Sequence, residues 1–294
     1  MPHFLSLGFD DERPYGNLAE TQVGKDFLNR KIDFLGRMNE AFDAAAIPRT
    51  HFLLGAYIEA ARSSLGEEVL QAMYPATNPL LDLQQHSHSH GVYEPLAGVE
   101  KNPMTAEQYI ADIWRASDVI EAVIGVRPQG LRTPYGYDHD LSGRSDILGG
   151  LRHAGIHFVS SDLGSKQTLA GEMTAERQPH SYAREGFPDI VEVPAHGLQD
   201  VVYTREKAQQ LFNQDKPPSS EEAFQQYDAV LGRALQLNAE KISVALCLHP
   251  WAVMEYDPKL ELLLRIVERA REKGFQILHY RAVANGFRDT AATD

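Results

Sequence analysis

Short apolar segments alternate with amphipathic helical stretches along nearly the whole chain, and this alternation limits the fold more than any other feature. Phe4 to Phe9 reads as a buried first strand, followed by a helix from about Lys25 to Ala46 whose stripe is Phe27, Ile32, Leu35, Met38 and Phe42. Thr50 to Leu54, Leu81 to Gln85, Gln129 to Arg132, His157 to Ser160, Asp189 to Val193, Val244 to Leu248 and Gln276 to His279 read as further strands. Thr105-Ala106-Glu107-Gln108 has the form of a capping box and opens a helix to about Ile124; further helices are expected over roughly Ser220 to Leu237 and Leu260 to Lys273. Strand–helix alternation calls for parallel strands joined by right-handed crossovers. A length of 294 residues is ordinary for a single (β/α) barrel, and no linker divides the chain, so one domain over 1–294 is expected.

Polar residues that carry chemistry fall just after these strands, where barrel enzymes place their sites. Asp10-Asp11-Glu12 ends the first strand. His86-Ser87-His88-Ser89-His90 ends the third. Imidazole is the commonest side-chain metal ligand, and two histidines with one carboxylate leave positions open for water and substrate. In an extended segment residues 86, 88 and 90 share one face, so spacing alone does not choose among them. Arg132-Thr133-Pro134-Tyr135 and Leu246-Cys247-Leu248-His249 end two later strands. Each pattern alone has a plainer explanation: a solvated histidine turn, capping aspartates, a surface arginine, a histidine on a strand rim.

Taken in order, these four motifs resemble the polysaccharide deacetylase family, also called the NodB-homology or carbohydrate esterase 4 family, from about residue 4 to residue 287. The resemblance implies an α/β fold, a distorted (β/α)7 barrel of the NodB-homology type. It implies Asp10 as general base, and Asp11, His86 and His90 as ligands of a divalent metal, zinc being favoured by the ligand types. Arg132 would orient Asp10, the Tyr135 backbone N–H would bind the oxyanion, and His249 would protonate the leaving amine. Glu12 stands where the family has glycine, putting a third acid near the mouth. The family's aspartate–tryptophan motif is degraded to Phe158-Val159-Ser160-Ser161-Asp162-Leu163, with Asp162 the expected partner of His249 and with Leu248 and Trp251 as candidates for the missing apolar wall. His88 is expected outside the ligand set. Ile190-Val191-Glu192-Val193-Pro194, Asp200 and Leu248-His249-Pro250 are similar to an offshoot of the family that contains allantoinase-like and cyclic-imide hydrolases.

The expected activity is hydrolysis of an amide by water activated on the metal, with N-deacetylation of an N-acetylated amino sugar first. Ring opening of a cyclic amide or imide is the alternative, and a non-catalytic carbohydrate-binding barrel a lesser one. A net charge of -13 argues against nucleic acid or an anionic membrane as partner, leaving a small-molecule or carbohydrate substrate; a homo-oligomer stays open. Cys247 is the sole cysteine, so no internal disulfide forms, and no apolar run approaches the ~20 residues of a spanning helix. A cytoplasmic protein is expected.

Overall fold

The computed structural model describes residues 2–14, 20–96, 98–164, 173–196, 200–205, 208 and 216–288. In chain order its main elements are β1 (His3–Asp11), α1 (Gln22–Ala44), β2 (Arg49–Leu53), α2 (Gly55–Leu65), α3 (Glu67–Met73), β3 (Leu81–Gln85), α4 (Ala106–Ile124), β4 (Gly130–Tyr137), α5 (Ser145–His153), β5 (Phe158–Asp162), β6 (His180–Tyr182), β7 (Phe187–Glu192), α6 (Ser220–Ala234), β8 (Ile242–Leu248), α7 (Pro250–Tyr256), α8 (Glu261–Glu272), β9 (Phe275–Ile277) and α9 (Tyr280–Gly286). The expected capping box is present: the Thr105 hydroxyl accepts from Gln108 N–H, and the Gln108 side chain accepts from Thr105 N–H. A cap of this kind is worth about 1 kcal/mol.

The strands hydrogen-bond in the order β6-β7-β5-β4-β3-β2-β1-β8, with β9 also on β1. All pairings are parallel except β6 with β7. Beyond β7 the chain runs between β5 and β8 and brings the two ends of the sheet together. Val193 N–H donates to Val159 O at 2.7 Å, and His196 N–H donates to Ala245 O at 2.6 Å. The His196 side chain completes the seam. Its Nδ1 accepts from Ala245 N–H at 3.2 Å while its Nε2 lies 2.8 Å from Arg177 O. This is the neutral tautomer with the proton on Nε2, and burial holds the imidazole down to about 4, so it stays neutral. The result is a closed, irregular barrel of the kind the sequence implies.

The helices pack outside the strands. The largest apolar cluster joins Leu5, Leu7 and Phe9 of β1 to Phe34, Leu35 and Met38 of α1 and to Leu263, Ile266 and Val267 of α8. A smaller cluster with Phe52, Phe158, Val191, Val193 and Tyr280 packs inside the sheet, with Phe52 and Tyr280 against the Arg132 guanidinium. None of the described helices is long and apolar enough to cross a membrane.

Candidate active site

The C-terminal ends of β1, β3, β4 and β8 converge on a cavity of about 220 Å³ lined by Asp10, Glu12, Arg13, His86, His90, Thr133, Tyr135, Gly136, Leu163, Val201, His249 and Trp251. β1 supplies the acids. Its side chains alternate between faces, so Asp10 and Glu12 point to the cavity and Asp11 points the other way. The structure therefore does not bring Asp11 to the histidines, contrary to the expectation for a ligand. Its carboxylate is fully buried beneath the site, taken up by Lys31 Nζ (2.9 Å), His51 Nδ1 (2.5 Å) and Tyr74 OH (3.0 Å). Burial raises the Asp11 pKa, but the Lys31 and His51 charges outweigh it and hold the group at about 2.

Glu12 takes the place expected of Asp11. One oxygen lies 2.7 Å from His90 Nε2 and 3.7 Å from His86 Nε2; the other accepts from Trp251 Nε1 at 3.1 Å. Burial opposes its charge, yet the two imidazoles keep it well below the usual carboxylate range. The ligand-capable atoms of Glu12, His86 and His90 all lie within 4.8 Å of one another. His86 Nδ1 is 2.9 Å from Arg132 O, so that nitrogen carries the proton and Nε2 presents a lone pair to the cavity. This set suits a divalent cation: two nitrogen donors and one carboxylate, with the tautomer of His86 fixed by a backbone carbonyl.

The histidine loop does not continue as a strand. Ser87 and His90 have φ of 64° and 58°, so His86 and His90 return to one side with their ring centroids 4.9 Å apart. His88 turns away and is buried against Glu59 Oε2 at 3.0 Å. The loop rests on the start of α2, where Gly55 and Ala56 N–H donate to Ser87 O and His88 O. A Cβ at Gly55 would come within 2.7 Å of His88 Cδ2, which explains the glycine.

Beside this triad, Arg132 Nε faces Asp10 Oδ1 at 3.7 Å, too long for a hydrogen bond. Arg132 Nη2 donates to Tyr280 OH at 2.7 Å, and that hydroxyl donates to Leu246 O at 2.8 Å. Gly8 makes room for this arrangement, since a Cβ there would stand 2.7 Å from the Tyr280 ring and 2.9 Å from Arg132 Nη2. Cys247, the sole cysteine, lies with its sulfur 3.4 Å from Asp10 Oδ2 and so touches the acid directly. Tyr135 packs edge-on to His90, centroids 4.4 Å apart, with φ of 64°. The β4–β5 register slips between Arg132 and Tyr137, a bulge that aims this turn at the cavity.

His249 stands on the other side. Its partner is Asp200, not Asp162: Asp200 Oδ1 is 2.8 Å from Nδ1 and Oδ2 accepts from His249 N–H at 2.9 Å. Tyr256 OH also donates to Asp200, at 3.3 Å. Burial disfavours the imidazolium, but Asp200 and, more weakly, Glu12 and Asp10 overcome this and push His249 up to about 9. Asp162 is occupied elsewhere, held by two Arg177 nitrogens at 3.0 and 2.9 Å and by Gly164 N–H at 2.8 Å. Both of its oxygens are engaged by that fork, while His249 is paired with Asp200. Trp251 does form an apolar wall, joined by Leu163; Leu248 belongs to the large core cluster instead.

A barrel with these groups at its strand ends can be compared with known proteins. Residues 32–158 match the family model for polysaccharide deacetylase, a stretch that includes His86, His90, Arg132 and Tyr135 and leaves Asp10, Glu12, Asp200 and His249 outside. Over that stretch, less than half of its length, the chain is similar to polysaccharide deacetylases. The fold is similar to that of a Mycobacterium smegmatis protein assigned as a polysaccharide deacetylase (TM-score 0.66, 16% identity, 99% of this chain and 94% of that one). It is also similar to PuuE allantoinase (0.62, 14%, 99% and 92%) and to a Pseudomonas aeruginosa PAO1 protein assigned as a polysaccharide deacetylase (0.61, 14%, 99% and 93%). No protein of curated function matches the sequence.

Proposed function

We propose that the protein is a metal-dependent amide hydrolase, with Glu12, His86 and His90 as the metal ligands. The observation that carries this reading is the pairing of that triad with Asp10 on one side and the Asp200–His249 pair on the other, around one small cavity. A divalent cation held there, zinc on ligand type, would acidify a water molecule and polarise a carbonyl. Asp10 takes the proton of the attacking water. Arg132 faces Asp10 Oδ1, the carboxylate oxygen that Cys247 does not touch. The turn at Tyr135 offers backbone donors to the oxyanion. His249, kept charged by Asp200, gives its proton to the departing nitrogen. The C–N bond is thus replaced by a C–O bond: the water oxygen stays on the carbonyl carbon, one water proton goes to Asp10, and the nitrogen leaves with the proton of His249.

The substrate favoured is an N-acetylated amino sugar or derivative, released as amine and acetate, with Trp251 and Leu163 facing the acetyl methyl. The dimensions of the cavity suit a small molecule or chain end. That same observation favours a second reading, ring opening of a cyclic amide or imide, which uses the same groups and is the type of substrate named by the PuuE allantoinase likeness. Zinc-reconstituted protein assayed on N-acetylated sugars and on cyclic amides decides between them. Acetate release supports deacetylation, ring opening without acetate supports the second, and no turnover with metal bound would sink both.

A further inference from the structure

Asp11 is fully buried, charged and outside the metal triad, so its three donors need a reason. Apolar side chains of similar volume do as well as a buried ion pair for stability, which makes stability a poor reason. Direction is a better one. Lys31 Nζ lies 2.9 Å from Asp11 Oδ1 and donates to Arg13 O at 3.0 Å, with the ammonium 3.7 Å over the Tyr57 ring. One ammonium thus grips the residue before Glu12 through its side chain and the residue after Glu12 through its backbone. His51 and Tyr74 lock the carboxylate from the far side. Glu12, between the two tethers, is the residue that meets His90 and His86.

We propose that the buried Asp11–Lys31 pair positions Glu12: it tethers the residues on either side, Asp11 by its side chain and Arg13 by its carbonyl, and so sets where the Glu12 carboxylate stands relative to His86 and His90. The inference rests on reading Glu12, His86 and His90 as the metal site. It gives Asp11 the task of holding the ligand strand in place of ligation itself. Outer partners of a ligand commonly account for about 10–100-fold in metal affinity, which sets the expected scale.

The test is zinc affinity of the purified full-length protein, measured by competition with a chromophoric chelator, alongside thermal melting. Asp11→Asn, which keeps an acceptor for Lys31, is expected to hold zinc within about 3-fold of the parent. The double variant Asp11→Asn with Lys31→Met removes both buried charges and the tether to Arg13 O; it is expected to melt near the parent yet bind zinc about 10–100-fold more weakly. Parental affinity in that folded double variant overturns the proposal. So does loss of stoichiometric zinc from folded Asp11→Asn, which would make Asp11 a ligand. If the double variant does not fold, Lys31→Gln decides in the same titration, with a loss of about 10-fold in support and parental affinity against. Glu12→Gln is the control for the underlying reading: stoichiometric zinc retained there removes the triad itself, separately from the role of Lys31.

Discussion

One carboxylate, Asp200, holds His249 at two points, its ring nitrogen Nδ1 at 2.8 Å and its backbone N–H at 2.9 Å. The contact fixes the ring plane, leaves Nε2 as the proton-bearing atom toward the cavity, and stabilises the imidazolium. Asp200→Asn should therefore lower the pKa of His249 from about 9. An acid that loses its proton earlier loses activity earlier, so the alkaline limb of the pH–rate profile should move to lower pH. Asp162→Asn should leave that limb in place, because its carboxylate serves Arg177. A pH profile of kcat/KM for the two variants checks both statements.

Metal content should follow Glu12, His86 and His90. Glu12→Gln, His86→Ala and His90→Ala should each abolish stoichiometric metal, while His88→Ala keeps it, since His88 is bound to Glu59 outside the triad. Elemental analysis of the purified variants is the measurement, and metal lost from His88→Ala would reassign the set.

Catalysis and metal binding should separate at Asp10 and His249. Asp10→Asn and His249→Ala should each lower kcat by roughly 100-fold or more, the usual scale for general acid–base groups, with metal retained. Rates close to the parent in either variant would remove that residue from proton transfer.

Acid should open the barrel seam through His196. Its pKa falls from 6.5 unfolded to about 4 folded, so the native state binds fewer protons between those values. The neutral imidazole stabilises the fold fully above pH 6.5, and this contribution, on the order of 3 kcal/mol, is lost as pH falls toward 4. His196→Asn, whose amide oxygen can accept from Ala245 N–H, should show a shallower decline of stability over that window. Urea unfolding at pH 7, 6, 5 and 4 measures it.

Much of this architecture can be read from the residues. β3 spans the expected Leu81–Gln85 and α4 opens at its capping box, because turn chemistry and apolar periodicity are local signals. The short helices α2, α3, α5 and α7 lack a long stripe, although Pro250 at the first position of α7 is a recognisable start. At the site, His86 and His90 come together as the resemblance implied, and Arg132 faces Asp10. Glu12 was within reach of a simple argument: alternation along β1 places residues 10 and 12 on one face and 11 on the other. The family pattern of adjacent aspartates pointed elsewhere. Asp200 stood out only through the likeness to the allantoinase-like offshoot; its pairing with His249, 49 residues away, is made by tertiary folding. Tertiary folding likewise brings Lys31, His51 and Tyr74 around Asp11.

Ser87, His90 and Tyr135 all sit at positive φ, a region where side chains other than glycine cost on the order of 1 kcal/mol each. Two of them line the cavity. Glycine at those positions would relax the backbone while deleting the imidazole or the ring, so folding and chemistry reward opposite substitutions there. Selection for thermal resistance alone would be drawn to the same codons that the proposed hydrolytic site cannot give up, and a barrel evolved that way would become sturdier as it fell silent.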